Sequence, residues 1–274
     1  MLAALLLLVA TPKVEADVVY ARPEGTEVKM DLYIPEKAVR TPVPVVLVIH
    51  GGAWISGSKA DVKAVGMELA NRGYLAAAVQ YRLAPKYKWP AMEDDVQTAV
   101  RYLRANKDKY GLDPNRVAAL GFSAGGHLAL LLGTRETRDP KPADYPGVSS
   151  KVNVVVDFFG PTDLTSETDY PKVFDSVFAT VLGKPRSESL EVLKDGSPLS
   201  HVTKDDAPTF IYQGLIDPLV NPNQSRKLEA KLKEVGVPVQ SFYLEGVGHE
   251  VPMTKAGVPE AVNSGYEWLK KYLG

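Results

Sequence analysis

The stretch from Val117 to Gly133, VAALGFSAGGHLALLLG, joins an apolar run of strand composition to an apolar run of helical composition through a glycine-rich turn. The turn contains Gly121, Ser123 and Gly125 in the spacing G-x-S-x-G. Glycines on both sides of a serine let the strand and the helix pass close together, and the strained turn pushes the serine hydroxyl out of the sheet. The same pattern also arises by chance in glycine-rich connectors. It therefore predicts a nucleophile only if partners for Ser123 exist elsewhere in the chain.

The composition limits which binding partners and which catalytic groups are expected. The chain has 274 residues, a formal net charge of −1 and no cysteine. Without a basic block, neither nucleic acid nor an anionic membrane surface is an expected partner. The absence of cysteine excludes disulfides, thiolate metal sites and a cysteine nucleophile. No metal site is predicted, because the four histidines lack ligand spacing and the acidic run Glu93–Asp95 suits the start of a helix.

The N-terminus carries an apolar run, Leu2–Ala10, which has the length of a signal-peptide core and is too short to span a bilayer. Ala16 is a small residue at which a signal peptidase could cut, although no positively charged segment precedes the run. We interpret residues 1–16 as a secretory signal or its remnant, which implies a periplasmic or extracellular location and no stable membrane anchor. The alternative is an apolar segment packed on a cytoplasmic protein. Residues 17–274 are predicted to form a single domain.

Strand and helix patterns alternate along the rest of the chain. Val28–Ile34 alternates apolar and polar residues, which predicts an antiparallel strand near a sheet edge. Continuous apolar runs predict buried strands at Val43–His50, Leu75–Tyr81, Val117–Gly121 and Val152–Phe159, and two further strands are predicted at Thr209–Gln213 and Val239–Leu244. Helical patterns lie between them, with helices predicted at Lys59–Arg72, Pro90–Tyr110 and Val258–Leu273. Asp113–Asn115 predicts a turn, and the pattern loosens over 162–208, where an insertion over the sheet is expected. The alternation predicts βαβ units and a mainly parallel sheet.

Reactive side chains follow several of these strands. In open α/β sheets, ligands bind beyond the carboxyl ends of the strands. Gly51 and Gly52 follow the strand that starts at Val43, and Ser123, Asp217 and His249 each follow a later strand. All are therefore predicted to lie at the same edge of the sheet.

A serine hydroxyl needs a base to remove its proton and a group that holds the base in the correct tautomer. We predict His249 as the base, because it lies on a glycine-flanked loop after the last strand. The other three histidines have simpler interpretations. His50 orders the glycine loop, His127 is a core residue of the helix after the turn, and His201 lies in the irregular region.

Two aspartates compete for the role of the acid that orients the base. Asp217 follows the penultimate strand, and the chain order Ser, Asp, His is typical of this architecture. Asp163 follows the preceding strand and is also within geometric reach. We predict Asp217, and the alternative interpretation of Asp163 is a turn aspartate that caps its own backbone.

Acyl transfer also needs donors for the oxyanion of the tetrahedral intermediate. The N–H of Ala124 is predicted to be one donor, and Gly52 and Ala53 are predicted to supply the others, with Gly51 as the alternative. The simpler interpretation is a glycine turn between a strand and a helix. Trp54 is predicted to contact the acyl or aryl part of a substrate, although a core position would also fit.

With these residues in place, the chain from about Asp17 onward resembles α/β-hydrolases of the esterase/lipase superfamily. Hormone-sensitive-lipase-like esterases share similar segments with it: His50-Gly51-Gly52, Tyr81-Arg82-Leu83-Ala84-Pro85, Trp89-Pro90-Ala91 and Glu93-Asp94. The resemblance implies an eight-stranded sheet with helices on both faces, and a triad of Ser123, Asp217 and His249. It also implies an oxyanion hole from the glycine loop and Ala124, and no cofactor.

Two departures refine the expected function. Phe122 stands where those relatives usually carry Asp, and the N-terminal helical cap segment is missing. In both respects the chain is similar to the compact bacterial acetylesterase and feruloyl-esterase branch, with little or no cap domain. We expect a carboxylesterase for short acyl chains, whose substrate is a small ester or an acetyl or feruloyl ester of plant polysaccharide. A monomer or a homodimer is expected.

Two other functions stay open. An arylformamidase-like amide hydrolase resembles this fold and its glycine loop, and nothing in the residues separates an ester from an activated amide. A ligand-binding relative that has lost catalysis belongs to a different class, but all three triad candidates are present here.

Overall fold

A computed structural model describes residues 11–138 and 144–274. These residues form an eight-stranded sheet with the order β1-β2-β4-β3-β5-β6-β7-β8. The strands are β1 Lys13–Ala21, β2 Val28–Ile34, β3 Val43–Ile49, β4 Leu75–Val79, β5 Leu112–Phe122, β6 Val154–Phe158, β7 Thr209–Gly214 and β8 Val239–Leu244. The helices are α1 Lys63–Asn71, α2 Ala91–Ala105, α3 Lys107–Tyr110, α4 Ala124–Thr134, α5 Val173–Leu182, α6 Leu190–Asp195, α7 Asn223–Glu234 and α8 Val258–Leu273. β2 is antiparallel to β1 and β4, and the other neighbouring pairs are parallel, so the predicted mainly parallel sheet is confirmed.

Helices cover both faces of the sheet. Along β5, Ala119 belongs to the core that contains Leu128 of α4, whereas Leu120 belongs to the core that contains Leu269 of α8. Successive strand residues point to opposite faces. A strand buried on both faces therefore carries an unbroken apolar run, which is the pattern that predicted the central strands.

The edge strand β1 is not predicted by the sequence. It begins at Lys13 and pairs there with Ile34 of β2, so the boundary expected between residues 16 and 17 falls inside a strand. Its apolar pattern is weak because Val14 is 44% exposed and two register shifts interrupt the pairing. The apolar run Leu2–Ala10 lies outside the described residues.

The strand before the serine is longer than predicted. β5 begins at Leu112, and the predicted turn, Asp113–Asn115, is an irregularity within this strand. The Asn115 N–H donates to the Asp113 carboxylate at 2.9 Å, as in a turn. The hydrogen bond expected for the turn is present, but the irregularity interrupts the pairing of β5 without ending the strand.

The segment between β6 and β7 holds the expected insertion. Phe178 of α5 and Leu193 of α6 are buried in the same core as Trp54. The backbone N–H of Trp89 donates a hydrogen bond to the Val181 carbonyl at 2.9 Å, which connects α5 to the loop before α2. The insertion therefore packs as part of the domain core and forms no separate cap within the described residues.

Candidate active site

Ser123 lies at the sharp turn between β5 and α4. Its φ of 54° is in the left-handed region, which costs energy for a residue with a Cβ and persists only when the surroundings hold it. A methyl group on Gly121 would overlap the backbone of Gly125, and one on Gly125 would overlap the carbonyl of Ile49. The Ser123 N–H donates to the Phe158 carbonyl at 2.9 Å. The turn therefore has the close strand-to-helix geometry that the sequence predicts.

His249 connects Ser123 to Asp217. Nε2 of His249 lies 2.8 Å from Ser123 Oγ, and Nδ1 lies 2.7 Å from Asp217 Oδ2. An ionised carboxylate only accepts hydrogen bonds, so Nδ1–H donates to Asp217. Nε2 is then free to accept the Ser123 hydroxyl proton. The three side chains follow β5, β7 and β8 and meet at the predicted edge of the sheet.

The Asp217 carboxylate is fixed by several donors. Its Oδ1 accepts the N–H groups of Leu219 and Val220 at 2.8 and 2.9 Å. Its Oδ2 accepts the side-chain amide of Gln213 at 3.2 Å in addition to His249. Hydrogen bonds to an ionised oxygen are about twice as strong as neutral ones, so this set holds the carboxylate in one orientation.

Asp163, the competing acid, has other partners. Its Oδ2 lies 3.1 Å from Lys227 Nζ, and its Oδ1 accepts the Thr165 N–H at 3.1 Å. It is a turn aspartate with an added ion pair. The structure therefore brings Asp217, and not Asp163, to His249.

The glycine loop after β3 lies against the serine turn. A methyl group on Gly51 would lie 3.0 Å from the Phe122 carbonyl oxygen. Gly52 and Ala53 have φ values of 109° and 51°. Among the residues that the structure describes, the N–H groups of Gly52, Ala53 and Ala124 donate no hydrogen bond to another protein group. These three donors are therefore not used by the protein itself, and their role in an oxyanion hole stays a prediction.

His50 orders this loop, as its position in the sequence suggested. Its ring stacks on Tyr81 with centroids 4.3 Å apart and an interplanar angle of 9°. Burial lowers the pKa of His50, so the ring is neutral at pH 7. Nδ1–H then donates to the Gly51 carbonyl at 2.7 Å, which fixes the loop at its start.

The structure corrects the assignment of Trp54 to substrate binding. Its side chain is only 2% exposed, and its ring packs edge-on against His127 with centroids 5.2 Å apart. Residues 52–54 all have positive φ, and this turn of the chain directs the indole into the core. His127 is a core residue, as predicted: burial lowers its pKa to about 4, and Nε2–H donates to the Gly196 carbonyl at 2.7 Å.

His201, the histidine of the insertion, donates from Nε2 to the Asp195 carbonyl at 2.6 Å. Within 11–138 and 144–274, no group of three or more His, Cys, Asp or Glu residues could hold a metal ion. No helix in the same ranges is long and apolar enough to cross a membrane.

Sequence reasoning missed two neighbours of the site. Gln213 donates to Asp217 and in turn accepts the Ser225 hydroxyl at 2.9 Å. The ring of Phe159 lies 4.5 Å from the ring of His249, measured between centroids. An amide at the end of the apolar run Thr209–Gly214 was a usable signal for Gln213, because buried polar groups need partners. Nothing distinguishes Phe159 from its aromatic neighbours in the sequence.

The BD-FAE family model matches residues 30–232, from within β2 to within α7. The chain belongs to the BD-FAE family. Among curated proteins, this BD-FAE member is similar to esterase LipC of Mycobacterium tuberculosis, with 34% identity over 226 residues that cover 80% of this chain and 56% of LipC. The probable carboxylic ester hydrolase LipM of the same organism is 30% identical over 204 residues, 73% of this chain and 47% of LipM. The chain thus spans about half the length of the curated relatives it matches.

Solved structures share the architecture of this BD-FAE chain. A truncated carbohydrate esterase from gut microbiota has a TM-score of 0.80 and 25% identity, covering 95% of this chain and 97% of that one. An acetyl ester-xyloside bifunctional hydrolase from Caldicellulosiruptor lactoaceticus has a TM-score of 0.79 and 25% identity, covering 98% and 100%. The predicted α/β-hydrolase fold is confirmed.

Proposed function

We propose that this chain is a serine carboxylic ester hydrolase that acts on short-chain acyl esters. The observation that carries the proposal is the pair of hydrogen bonds that join Ser123 to His249 and His249 to Asp217. Ala53 lies in the glycine loop that packs on the serine turn and Ala124 directly follows Ser123, and the backbone N–H groups of both, which have no protein acceptor, support it. The curated relatives named as esterases and as a carboxylic ester hydrolase support the same chemistry.

In the acylation half-reaction, Ser123 Oγ attacks the ester carbonyl carbon while His249 Nε2 accepts the hydroxyl proton. Asp217 stabilises the imidazolium that forms. The carbonyl oxygen becomes an oxyanion and accepts hydrogen bonds from the N–H groups of Ala53 and Ala124, with Gly52 as the third donor. One such donor lowers the barrier by about 3 kcal/mol.

The intermediate then collapses, and the carbon–oxygen bond to the leaving alcohol breaks as His249 returns the proton to that oxygen. In deacylation, a water molecule attacks the acyl-Ser123 carbonyl, and His249 again takes and returns one proton. The acid is released and the serine hydroxyl is restored.

For the substrate class, we propose acetyl or feruloyl esters on plant polysaccharide. Within the ranges that the structure describes, the insertion between β6 and β7 packs into the domain core and forms no separate cap, which is compatible with a bulky alcohol. The carbohydrate esterase and the acetyl ester-xyloside hydrolase among the structural neighbours support a sugar ester.

The test compares the wild-type protein with Ser123→Ala on one panel: p-nitrophenyl acetate through decanoate, methyl ferulate, acetylated xylan and N-formylkynurenine. We expect turnover of short esters that Ser123→Ala lowers by at least about 10⁴-fold. Release of neither acetate nor ferulate from acylated xylan, with small aryl esters cleaved, would overturn the polysaccharide proposal. Preferential turnover of N-formylkynurenine would replace the esterase by an amide hydrolase.

We also propose that the protein is exported through its N-terminal apolar run. Cleavage after Ala16 would remove Lys13–Ala16 from β1. Fractionation of the producing cell and N-terminal sequencing of the mature protein test this. Recovery of the intact chain in the cytoplasm would contradict export.

A further inference from the structure

Asp157 is a buried carboxyl group that the proposed mechanism does not use. It lies in β6, and its side chain is fully buried. Its Oδ1 accepts the Gly160 N–H at 2.9 Å, and its Oδ2 has no hydrogen-bond partner in the part of the chain that the structure describes. Burial raises the pKa of Asp157 to about 8, so the group is largely neutral at pH 7. Burying a carboxyl group costs stability that an apolar residue would not, so a local role must offset this cost.

The carboxyl group fills the space between two segments of the site. A methyl group on Gly126, in the first turn of α4, would overlap Asp157 Oδ1. A methyl group on Gly160 would lie 2.5 Å from the same oxygen and 2.6 Å from the backbone nitrogen of His127. Asp157 therefore holds the turn after β6 directly against the helix that follows Ser123.

That turn contacts both partners of the proton transfer. The Phe158 carbonyl accepts the Ser123 N–H at 2.9 Å, and the ring of Phe159 lies 4.5 Å from that of His249. Phe159 has a φ of 47°, a left-handed conformation that must be held by its neighbours. The hydrogen bond from Gly160 to Asp157 closes the turn around this residue.

We propose that Asp157 is a positioning residue for ester hydrolysis: through Gly160 it fixes the turn whose residues contact both the Ser123 backbone and the ring of His249. Asp157 touches neither the substrate nor a reacting atom. A misplacement of about 1 Å at a reacting group costs about 100-fold in rate. Loss of the Asp157 acceptor should therefore lower kcat by about 10- to 100-fold and leave KM within about threefold.

The test uses three substitutions of Asp157. Asp157→Ala removes the acceptor, and Asp157→Leu removes it while filling the volume. Asp157→Asn keeps an oxygen for the Gly160 N–H and should restore kcat to within about threefold of the wild-type value. Asp206→Ala is the matched control, because Asp206 is also buried and its Oδ2 accepts a backbone N–H, that of Thr203, at 2.8 Å. Asp206 lies just before β7, at the edge of the sheet opposite the site.

Rates of p-nitrophenyl acetate hydrolysis are divided by the concentration of active sites, titrated with paraoxon, so that unfolded protein does not count. We expect low kcat for Asp157→Ala and Asp157→Leu, and near-wild-type kcat for Asp157→Asn and Asp206→Ala. Where neither apolar variant folds, Gly160→Ala replaces them, since it keeps Asp157 but displaces the turn, and a folded Gly160→Ala variant with wild-type kcat would overturn the positioning role.

Two further results would overturn the positioning role. One is a folded variant without the acceptor that has wild-type kcat, and the other is an Asp157→Asn variant as impaired as Asp157→Ala. The inference rests on the proposed esterase activity, and the two fail differently. An inactive wild-type protein refutes the activity, whereas an active wild type with an unaffected Asp157→Ala variant refutes the inference alone.

Discussion

The side-chain amide of Gln213 lies 3.2 Å from Asp217 Oδ2, the same oxygen that accepts the hydrogen bond from His249. Gln213→Leu should lower kcat by about 10- to 100-fold, because a hydrogen bond to a charged group contributes about 1.5 to 3 kcal/mol and each 1.4 kcal/mol is a factor of ten in rate. The measurement is kcat for p-nitrophenyl acetate. Gln240→Leu, at an exposed position of β8, is the control and should retain full activity. Equal rates for both variants would show that Gln213 does not support the acid.

Substitution of each candidate acid by asparagine separates the roles of Asp217 and Asp163. Asp217→Asn should lower kcat by about 10⁴-fold, because the amide favours the wrong tautomer of His249. Asp163→Asn breaks only the contacts with Lys227 and Thr165 and should keep kcat within about threefold. Steady-state kinetics on a short aryl ester decide between them. A collapse of activity in Asp163→Asn alone would reverse the assignment.

The packing of the serine turn predicts a strong stability effect. A methyl group on Gly125 would overlap the Ile49 carbonyl and lie 2.5 Å from the His50 carbonyl oxygen, and both are backbone atoms that cannot move alone. Gly125→Ala should reduce the free energy of unfolding by about 3 kcal/mol or more. Gly265→Ala in α8 is the control, since its nearest neighbour would lie at 3.4 Å and helix propensity favours alanine. Urea unfolding measures both, and similar midpoints would contradict the close approach.

Burial of Trp54 predicts an effect on stability and not on substrate choice. Trp54→Ala should reduce the free energy of unfolding by about 3 to 5 kcal/mol, because it leaves a cavity beside His127. Trp54→Phe keeps most of the packing and should cost less. Unfolding curves and the acyl-length profile from acetate to decanoate are measured together. A stable Trp54→Ala protein with an extended acyl range would restore the substrate-binding role.

The raised pKa of Asp157, about 8, predicts a pH-dependent difference in stability between wild type and Asp157→Asn. Below about pH 3 the carboxyl is protonated in both the folded and the unfolded chain, so it contributes no pH dependence. As pH rises toward 8, the unfolded chain ionises Asp157 while the folded chain keeps it neutral, and the wild-type protein loses stability. The Tm of Asp157→Asn minus the Tm of wild type should therefore increase from pH 4.5 to 8 and stay constant above pH 8. A constant difference would contradict a buried neutral carboxyl.

The sequence predicted those parts of the fold and site that depend on burial and on chain order. The central strands carry unbroken apolar runs because both faces are covered. Ser123 and Asp217 follow the buried end of β5 and the buried strand β7, whereas His249 follows β8, a partly exposed strand at the sheet edge. The edge strand β1 was not predicted, because one of its faces is exposed to solvent and two register shifts interrupt its apolar pattern. The inward direction of Trp54 depends on three successive positive φ angles, which its residue type does not indicate. Asp157 is an ionisable residue within the apolar run Val154–Phe158, but its proposed role depends on the contact with Gly160, which the sequence does not show.

The proton relay joins residues that are far apart in the chain: 126 positions separate Ser123 from His249, and 32 separate Asp217 from His249. No single hairpin or helix pair contains the relay, because its members follow β5, β7 and β8. Contacts between distant residues form late in folding, since the entropy of closing long loops must be overcome first. During refolding, helical signal should therefore return before catalytic turnover. The first active molecules mark the moment at which the strands from β5 to β8 are joined in register.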